Sequence, residues 1–308
     1  MICFFNVAIL NYTKKILGCC YENNLIIIRN LLLSFIVAVV MLGCNKTQNH
    51  KAEEMNINNV VISEETKEAM NIIKDSRILF SHQSVGYNIL SGVKMISDKT
   101  GIEINVKNVD DVSLGNNKIF AHVTGGKNYY PKTKIDSFTK KISELNGESI
   151  PDVAFMKFCY VDVKPDTDVN ELFKYYQEKI NEIKKEKPGV TLIHLTVPLV
   201  TRSNTMKSKI KRLLGMDKYS ETSNIKRNDF NDLLTKSFHG EPIFDIARVE
   251  STHKDGSREQ FIEDGKVYYR MASEYTKDGG HLNDLGQYVV ATEMVNFLGD
   301  TIKRTKKK

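Results

Sequence analysis

Short apolar runs alternate along the chain with longer stretches in which apolar residues recur every three or four positions. The runs are rich in β-branched residues and have the length of strands, whereas the recurring spacing is typical of amphipathic helices. Five strands are predicted, at 77–81, 102–109, 152–159, 191–200 and 242–249. Helices are predicted at 65–74, 89–99, 135–145, 169–185, 224–238 and 281–303.

Strands that alternate with helices predict a parallel sheet with helices on both faces. The predicted fold class is therefore α/β, a three-layer αβα sandwich of the flavodoxin-like type with about five parallel strands. Such sheets bind ligands at the carboxyl ends of their strands, so reactive side chains are expected just after the predicted strands. The basic and irregular segment 201–223 is expected to be an exposed insertion.

The first 43 residues have the pattern of a targeting leader. Arg29 precedes an apolar run from Leu31 to Leu42. This run is shorter than the roughly 20 apolar residues that span a membrane, and it suits the hydrophobic region of a signal peptide. The run ends at Gly43-Cys44 and polar residues follow, which resembles the lipobox of bacterial lipoproteins. In a lipobox the cysteine is lipidated and becomes the first residue of the mature chain.

The predicted organisation has four parts: a leader at 1–43, lipidated Cys44 with a polar tether at 44–65, a folded domain at 66–302 and a basic tail at 303–308. An exported protein, anchored to the cell envelope by lipid, is therefore expected. The alternative is an uncleaved anchor helix in which Cys44 is incidental. A second pair, Gly18-Cys19, leaves open whether residues 1–24 belong to the leader or precede the true start.

Charge and cysteine content argue against a nucleic-acid partner and against a disulfide framework. The net charge is +6, and the basic tail contributes five positive charges and the leader two. Removing both leaves the folded body near −1, so no basic surface indicates a nucleic-acid partner. Three of the five cysteines lie in the leader and Cys44 has its own explanation, so a disulfide framework is not expected.

Two segments carry candidate chemistry. Ser84 stands between the first predicted strand and a helix, where a serine hydroxyl can be exposed and its N–H can point at an oxyanion. Asp278 and His281 lie three residues apart on a glycine-rich turn before the last predicted helix. That spacing lets the carboxylate hold one ring nitrogen while the other faces outward, as the acid of a catalytic triad does.

These two segments, in this order, resemble the SGNH/GDSL hydrolases. Asp278-Gly279-Gly280-His281 matches the family's Asp-x-x-His block before the C-terminal helix. The nucleophile block departs from the family, because His82-Gln83-Ser84 replaces Gly-Asp-Ser. The resemblance covers roughly residues 77–298. It implies Ser84 as the nucleophile, His281 as its base and Asp278 as the residue that holds the histidine.

The same resemblance implies two further oxyanion donors, a glycine after the second strand and an asparagine after the third. Gly126, in Gly125-Gly126-Lys127-Asn128, is the candidate for the glycine. After the third predicted strand the chain has Cys159-Tyr160 and no asparagine in the family's place, so the side-chain donor is either missing or supplied by Asn128. Losing one such donor typically costs about two to three orders of magnitude in rate.

Each assignment has a structural alternative. Ser84 could cap the following helix, and His281 could be an ordinary residue at a helix start. His82 could be mistaken for the base of Ser84, but it is interpreted as a residue of the pocket wall or of the layer behind it. Cys159 and Tyr160 could be a nucleophile and an acid, although a buried structural thiol is the simpler interpretation. The remaining histidines show no metal-ligand spacing.

The resemblance implies a serine esterase that transfers an acyl group to water without cofactor or metal. Its expected partners are a small acyl ester or an acylated glycan, with acetyl groups on carbohydrate as the family's frequent substrate, and the membrane that holds the lipid anchor. Two alternatives stay open: an O-acyltransferase of the same fold, and a non-catalytic glycan-binding surface lipoprotein.

Replacing Cys44 tests the predicted anchor. Cys44→Ala removes the only thiol at the end of the apolar run, so incorporation of a labelled fatty acid should be abolished and the protein should be released or mislocalised. Metabolic labelling with an alkyne fatty acid, followed by fractionation of the envelope, measures both effects. Labelling of the variant at the wild-type level would contradict the lipobox interpretation.

Overall fold

A computed structural model of the protein describes residues 60–109, 117–202 and 219–306, together with positions 206 and 210. The predicted leader, Cys44 and most of the predicted tether lie outside these residues. The described part belongs to one compact unit, Met55–Lys308. No helix in the described residues is long and apolar enough to cross a membrane.

Six parallel strands form the central sheet, in the order β2-β3-β1-β4-β5-β6. The strands are β1 Arg77–His82, β2 Val106–Asn108, β3 Ile119–Thr124, β4 Val153–Met156, β5 Thr191–Leu195 and β6 Ile243–Phe244. The chain first moves from β1 towards one edge and then crosses to the other side with β4. The strand order therefore reverses beside β1, which is where sheets of this class open a crevice for ligands.

Seven α-helices accompany the sheet in the described residues. They are α1 Glu64–Lys74, α2 Ser84–Thr100, α3 Pro131–Ser143, α4 Val169–Glu186, α5 Tyr219–Ser237, α6 Ile246–Ser251 and α7 Asp284–Thr305. Buried residues of α1, α2, α6 and α7 form one apolar layer against the sheet, and those of α3, α4 and α5 form the other. Strand β1 shows how the layers divide: Ile78 and Phe80 pack into the first and Leu79 into the second.

The predicted fold class, a three-layer αβα sandwich with a parallel sheet, is confirmed. The sheet has six strands, one more than predicted, and β3 is the strand that the sequence analysis missed. It escaped prediction because His122 interrupts its apolar run. His122 is nevertheless buried, since β3 lies between β1 and β2.

Several predicted elements have different bounds. The strand predicted at 102–109 forms only at Val106–Asn108. The strand predicted at 242–249 ends at Phe244, because the Asp245 side chain accepts the Arg248 N–H and caps helix α6. An antiparallel hairpin, β7 Gln260–Glu263 with β8 Lys266–Tyr269, was not predicted.

The ends of the folded part also extend beyond the predicted bounds. Helix α1 begins at Glu64, where Ser63 accepts the Thr66 N–H, and Ile62 is buried in the core although it falls in the predicted tether. Helix α7 runs to Thr305, into the predicted basic tail. Lysine and arginine in the last turn of a helix interact favourably with its dipole, which accounts for helical residues in so basic a segment.

Helices α2 and α7 approach each other at Gly92. A Cβ at this position would lie 2.2 Å from the backbone oxygen of Gln287 and 2.5 Å from the Ala291 side chain. Only a residue without a side chain permits this distance. At this turn the backbone of α2 therefore packs directly against α7.

Gly92→Ala should consequently lower the free energy of unfolding, by about 1–3 kcal/mol, because the added methyl group must push α7 away. Gly189→Ala is the matched control, since no atom lies within 4 Å of a Cβ at that position. Urea unfolding of both variants and the wild type measures the difference. Equal stability of Gly92→Ala and the wild type would show that the helices shift apart at no cost.

Candidate active site

Ser84 lies where the central strand β1 passes into helix α2. Gln83 is the N-cap residue, with extended backbone angles, and Ser84 is the first residue of the helix. At this position a backbone N–H has no carbonyl one turn earlier to bind, so it is available to a ligand. Ser84 is not the cap of α2, and its hydroxyl faces side chains from other parts of the chain.

Asp278 and His281 occupy the turn that leads into α7. Asp278 Oδ1 accepts the backbone N–H groups of Gly280 and His281, at 2.9 and 2.8 Å. Its other oxygen, Oδ2, lies 2.6 Å from Nδ1 of His281. Because a carboxylate can only accept, Nδ1 carries the proton of this bond and Nε2 of the neutral ring is left with its lone pair.

The structure brings all three predicted triad residues together. Nε2 of His281 lies 3.1 Å from Ser84 Oγ, across 197 positions of sequence. Asn88, one helical turn after Ser84, reinforces this placement, because its Oδ1 accepts the N–H of Leu282 at 3.3 Å. Helix α2 therefore contacts the histidine segment through two of its side chains.

The ionisation of Asp278 suits this arrangement. Partial burial acts to raise the pKa of its carboxyl. Hydrogen bonds from the N–H groups of Gly280 and His281 and from the His281 ring outweigh burial and lower the pKa well below its ordinary value. Asp278 is thus a carboxylate at neutral pH, able to hold the ring and to stabilise an imidazolium.

Tyr160 packs against the histidine segment from the loop after β4. Its ring meets the His281 ring edge to face, with centroids 5.6 Å apart, and a Cβ on Gly280 would lie 2.6 Å from the tyrosine ring. Burial raises the pKa of Tyr160 to about 12, with the charges of Cys159 and Asp278 acting in the same direction. The phenol therefore stays protonated, and its ring restricts the orientation of His281.

Cys159, the residue before Tyr160, is buried and lies beside the serine, with its Sγ 3.9 Å from Ser84 Oγ. Its N–H donates to Oδ2 of buried Asp162 at 2.6 Å. The same carboxylate accepts the ammonium of buried Lys134 at 2.5 Å and the N–H of Tyr129 at 3.0 Å. Asp162 thereby connects the loops after β3 and β4 at the edge of the site.

The two predicted oxyanion residues lie in the loop after β3, next to the nucleophile segment. The carbonyl of Gly126 accepts the side-chain amide of Gln83 at 2.9 Å, and Gly126 has a positive φ of 62°. Asn128 Oδ1 accepts the ammonium of Lys134 at 2.8 Å. Gly126 is therefore tied to the residue before Ser84, and the Asn128 oxygen is tied to the Asp162 cluster. Their roles as oxyanion donors stay predictions.

Three residues that support the site were missed in the sequence analysis: Asn88, Asp162 and Lys134. Asn88 follows Ser84 by four positions, so helical spacing alone places both side chains on one face and could have identified it. Asp162 and Lys134 belong to different predicted elements, and no local pattern indicates their contact. No group of three His, Cys, Asp or Glu residues in the described ranges could hold a metal ion.

Comparisons with known proteins give distant likenesses. No protein-family model matches the sequence, and no curated protein matches it. The chain is similar to the acetyl xylan esterase AlAXEase, with 15% identity, 70% of this chain and 96% of that chain covered, and a TM-score of 0.40. It is similar to an acetyl esterase mutant determined with acetate ion, with 14% identity, coverage of 74% and 97%, and a TM-score of 0.41. It is also similar to a carbohydrate esterase family 3 structure from Talaromyces cellulolyticus, with 12% identity and a TM-score of 0.39. That match covers 74% of this chain and 97% of the other.

These likenesses are too distant to define an activity, so function has to be inferred from the chain's own side chains. What the structure contains is an αβα sandwich with a hydrogen-bonded serine, histidine and aspartate at the carboxyl edge of its parallel sheet.

The low pKa of Asp278 predicts a pH-dependent contribution to stability. A carboxyl whose pKa is lower in the folded than in the unfolded protein stabilises the fold above the unfolded pKa, and this stabilisation is lost as the pH falls. The wild type should therefore exceed Asp278→Asn in free energy of unfolding at pH 7, and the difference should shrink on acidification below about pH 5. Urea unfolding of both proteins across this range tests it, and a difference that does not vary with pH would contradict it.

Proposed function

We propose that this chain is a serine esterase of the SGNH/GDSL kind. The observation that carries the proposal is the continuous chain of hydrogen bonds from Ser84 Oγ through the His281 ring to Asp278. A helix-starting serine and a histidine almost two hundred positions away have no structural need to meet. Their contact is the geometry that activates a serine hydroxyl.

The proposed reaction begins when His281 Nε2 takes the proton of the Ser84 hydroxyl and Oγ attacks an ester carbonyl. Asp278 holds the resulting imidazolium, which then protonates the departing alcohol. Water, deprotonated by the same ring, attacks the acyl-serine and releases the acid. The Ser84 N–H and the Gly126 N–H are the proposed oxyanion donors, and the reaction needs neither metal nor cofactor.

The proposed substrate is a small acyl ester, with acetyl groups on a carbohydrate as the class we favour. The site is open, because the His281 and Asp278 side chains are 40% and 57% exposed. Tyr87 follows Ser84 by three residues on α2, Tyr129 donates its N–H to Asp162, and both side chains are exposed. Exposed aromatic rings with polar tips suit a ligand that has both apolar and hydroxylated faces.

We further propose that the enzyme acts at the cell envelope, held there by a lipid on Cys44. The lipobox pattern of the leader supports this location. Surface glycans would then be within reach of the folded domain, which agrees with an acylated carbohydrate as substrate.

Hydrolysis of p-nitrophenyl acetate by the wild type and by Ser84→Ala tests the proposed activity. Removal of the nucleophile should lower kcat by at least about a thousandfold, because the remaining groups cannot form the acyl intermediate. Acetylated glycans should be tested next, with released acetate as the measurement. A serine-directed fluorophosphonate should label the wild type, and mass spectrometry should locate the adduct on Ser84.

Two controls separate the triad from its neighbours. Ser91→Ala changes a serine on the exposed face of the same helix and should leave the rate unchanged. Cys159→Ser removes the nearby thiol and should keep the rate within about tenfold, since the proposed nucleophile is intact. If Ser84→Ala retains activity and Cys159→Ser loses it, the cysteine is the nucleophile and the proposal is wrong.

A further inference from the structure

His82 and His122 form a buried pair beside the nucleophile that the proposed reaction does not use. Nε2 of His82 lies 3.2 Å from Nδ1 of His122, and Nδ1 of His82 lies 2.8 Å from the backbone oxygen of Gln83. Both rings are buried, and they stack with centroids 5.2 Å apart. A polar pair of this kind is costly to bury unless its hydrogen bonds are made, so its placement calls for a reason.

The carbonyl of Gln83 fixes the direction of both bonds. A carbonyl oxygen only accepts, so Nδ1 of His82 must donate to it. A neutral imidazole has one N–H, which leaves Nε2 of His82 as the acceptor and makes Nδ1 of His122 the donor. Burial lowers the pKa of His82 to about 3, and the charges of Lys157 and His122 act in the same direction against the bond to Gln83. His82 is therefore neutral at physiological pH, as these bonds require.

The peptide bond that accepts from His82 is the one that carries the Ser84 N–H. A trans peptide is planar, so the carbonyl of residue 83 and the N–H of residue 84 point in opposite directions. Fixing the oxygen therefore fixes the direction of the N–H. The Gly86 N–H donates to the same oxygen at 2.8 Å and acts in the same way from the helix side.

We infer that His82, oriented by His122, is a positioning residue that aims the Ser84 N–H at the substrate oxyanion. The inference rests on the proposed function, in which this N–H is an oxyanion donor. It accounts for two features of the segment. Gly86 has no side chain because a Cβ there would lie 2.1 Å from the His82 ring. Gln83 is held at its backbone carbonyl by His82 and at its side-chain amide, which donates to the carbonyls of Gly125 and Gly126.

The test compares two substitutions at position 82. His82→Leu fills the space without a donor, whereas His82→Asn places an amide nitrogen near the position of Nδ1. We expect His82→Leu to lower kcat by about tenfold to a hundredfold, with KM within about threefold of the wild type. A Ser84 N–H that points away from the oxyanion should lose part of the rate that complete removal of the donor would cost. His82→Asn should restore most of the rate. A merely structural role would change stability alike in both variants and would not be rescued by the amide.

A spectroscopic measurement follows the N–H itself and does not depend on activity. Gln83-Ser84 is the only Gln-Ser pair in the sequence. Labelling glutamine carbonyl carbon with ¹³C and serine nitrogen with ¹⁵N therefore yields a single correlated amide signal, that of Ser84. This signal should shift in His82→Leu and return towards its wild-type position in His82→Asn.

The outcomes separate this inference from the proposed function. If the wild type has no esterase activity, the proposed function fails, and the amide signal alone decides whether His82 sets this N–H. Wild-type kcat and an unshifted signal in His82→Leu, or equal losses in both variants, would overturn the inference. Should His82→Leu not fold, His122→Phe removes the donor to His82 and should lower kcat and move the same signal. An unchanged signal and rate in that variant would overturn the role of the pair.

Discussion

The contact between helices α2 and α7 is the constraint on which the whole site depends. Ser84 begins α2, and His281 lies three residues before α7, so the separation and angle of the two helices set the distance between Oγ and Nε2. The helices can come this close because Gly92 presents no side chain to α7. A hydrogen bond responds to a few tenths of an ångström, and a close-packed interior transmits displacements of that size. The geometry of the candidate site is thus held by packing two helical turns away from Ser84.

The loops after β3 and β4, at the edge of the site, depend on a buried ion pair. The Asp162 carboxylate and the Lys134 ammonium are both removed from water, which is costly for either group alone. Their cost is offset because the carboxylate also accepts the N–H groups of Cys159 and Tyr129. These bonds fix the two loops that follow β3 and β4, the strands on either side of β1. Tyr129 adopts a positive φ of 69°, an unfavourable conformation for tyrosine, which the bond from its N–H helps to maintain. A hydrophobic pair would pack as well but could not hold two backbone segments.

The sequence predicted those features that are encoded locally. Alternating strand and helix patterns are enough for the αβα class, because hydrophobic periodicity reflects which faces are buried. The two segments of the candidate site could be found because glycine-rich turns and strand-to-helix junctions have short signatures. Strand β3 escaped prediction because His122 breaks its apolar run, and the histidine is buried only through neighbours far away in sequence. The Asp162 cluster escaped for the same reason, since a carboxylate in a loop looks exposed until the lysine that pairs with it is known.

The two histidines close to Ser84, His82 and His281, lie in different environments. His82 is buried, donates to a backbone carbonyl and has its pKa lowered to about 3, so it cannot take a proton from serine near neutral pH. His281 is partly exposed, is held by an ionised carboxylate and turns its free nitrogen towards the hydroxyl. One histidine is thus suited to transfer protons and the other to remain neutral as a fixed donor. His82 is therefore no rival to His281 as a base, and its bond to the Gln83 carbonyl supports the peptide that precedes Ser84.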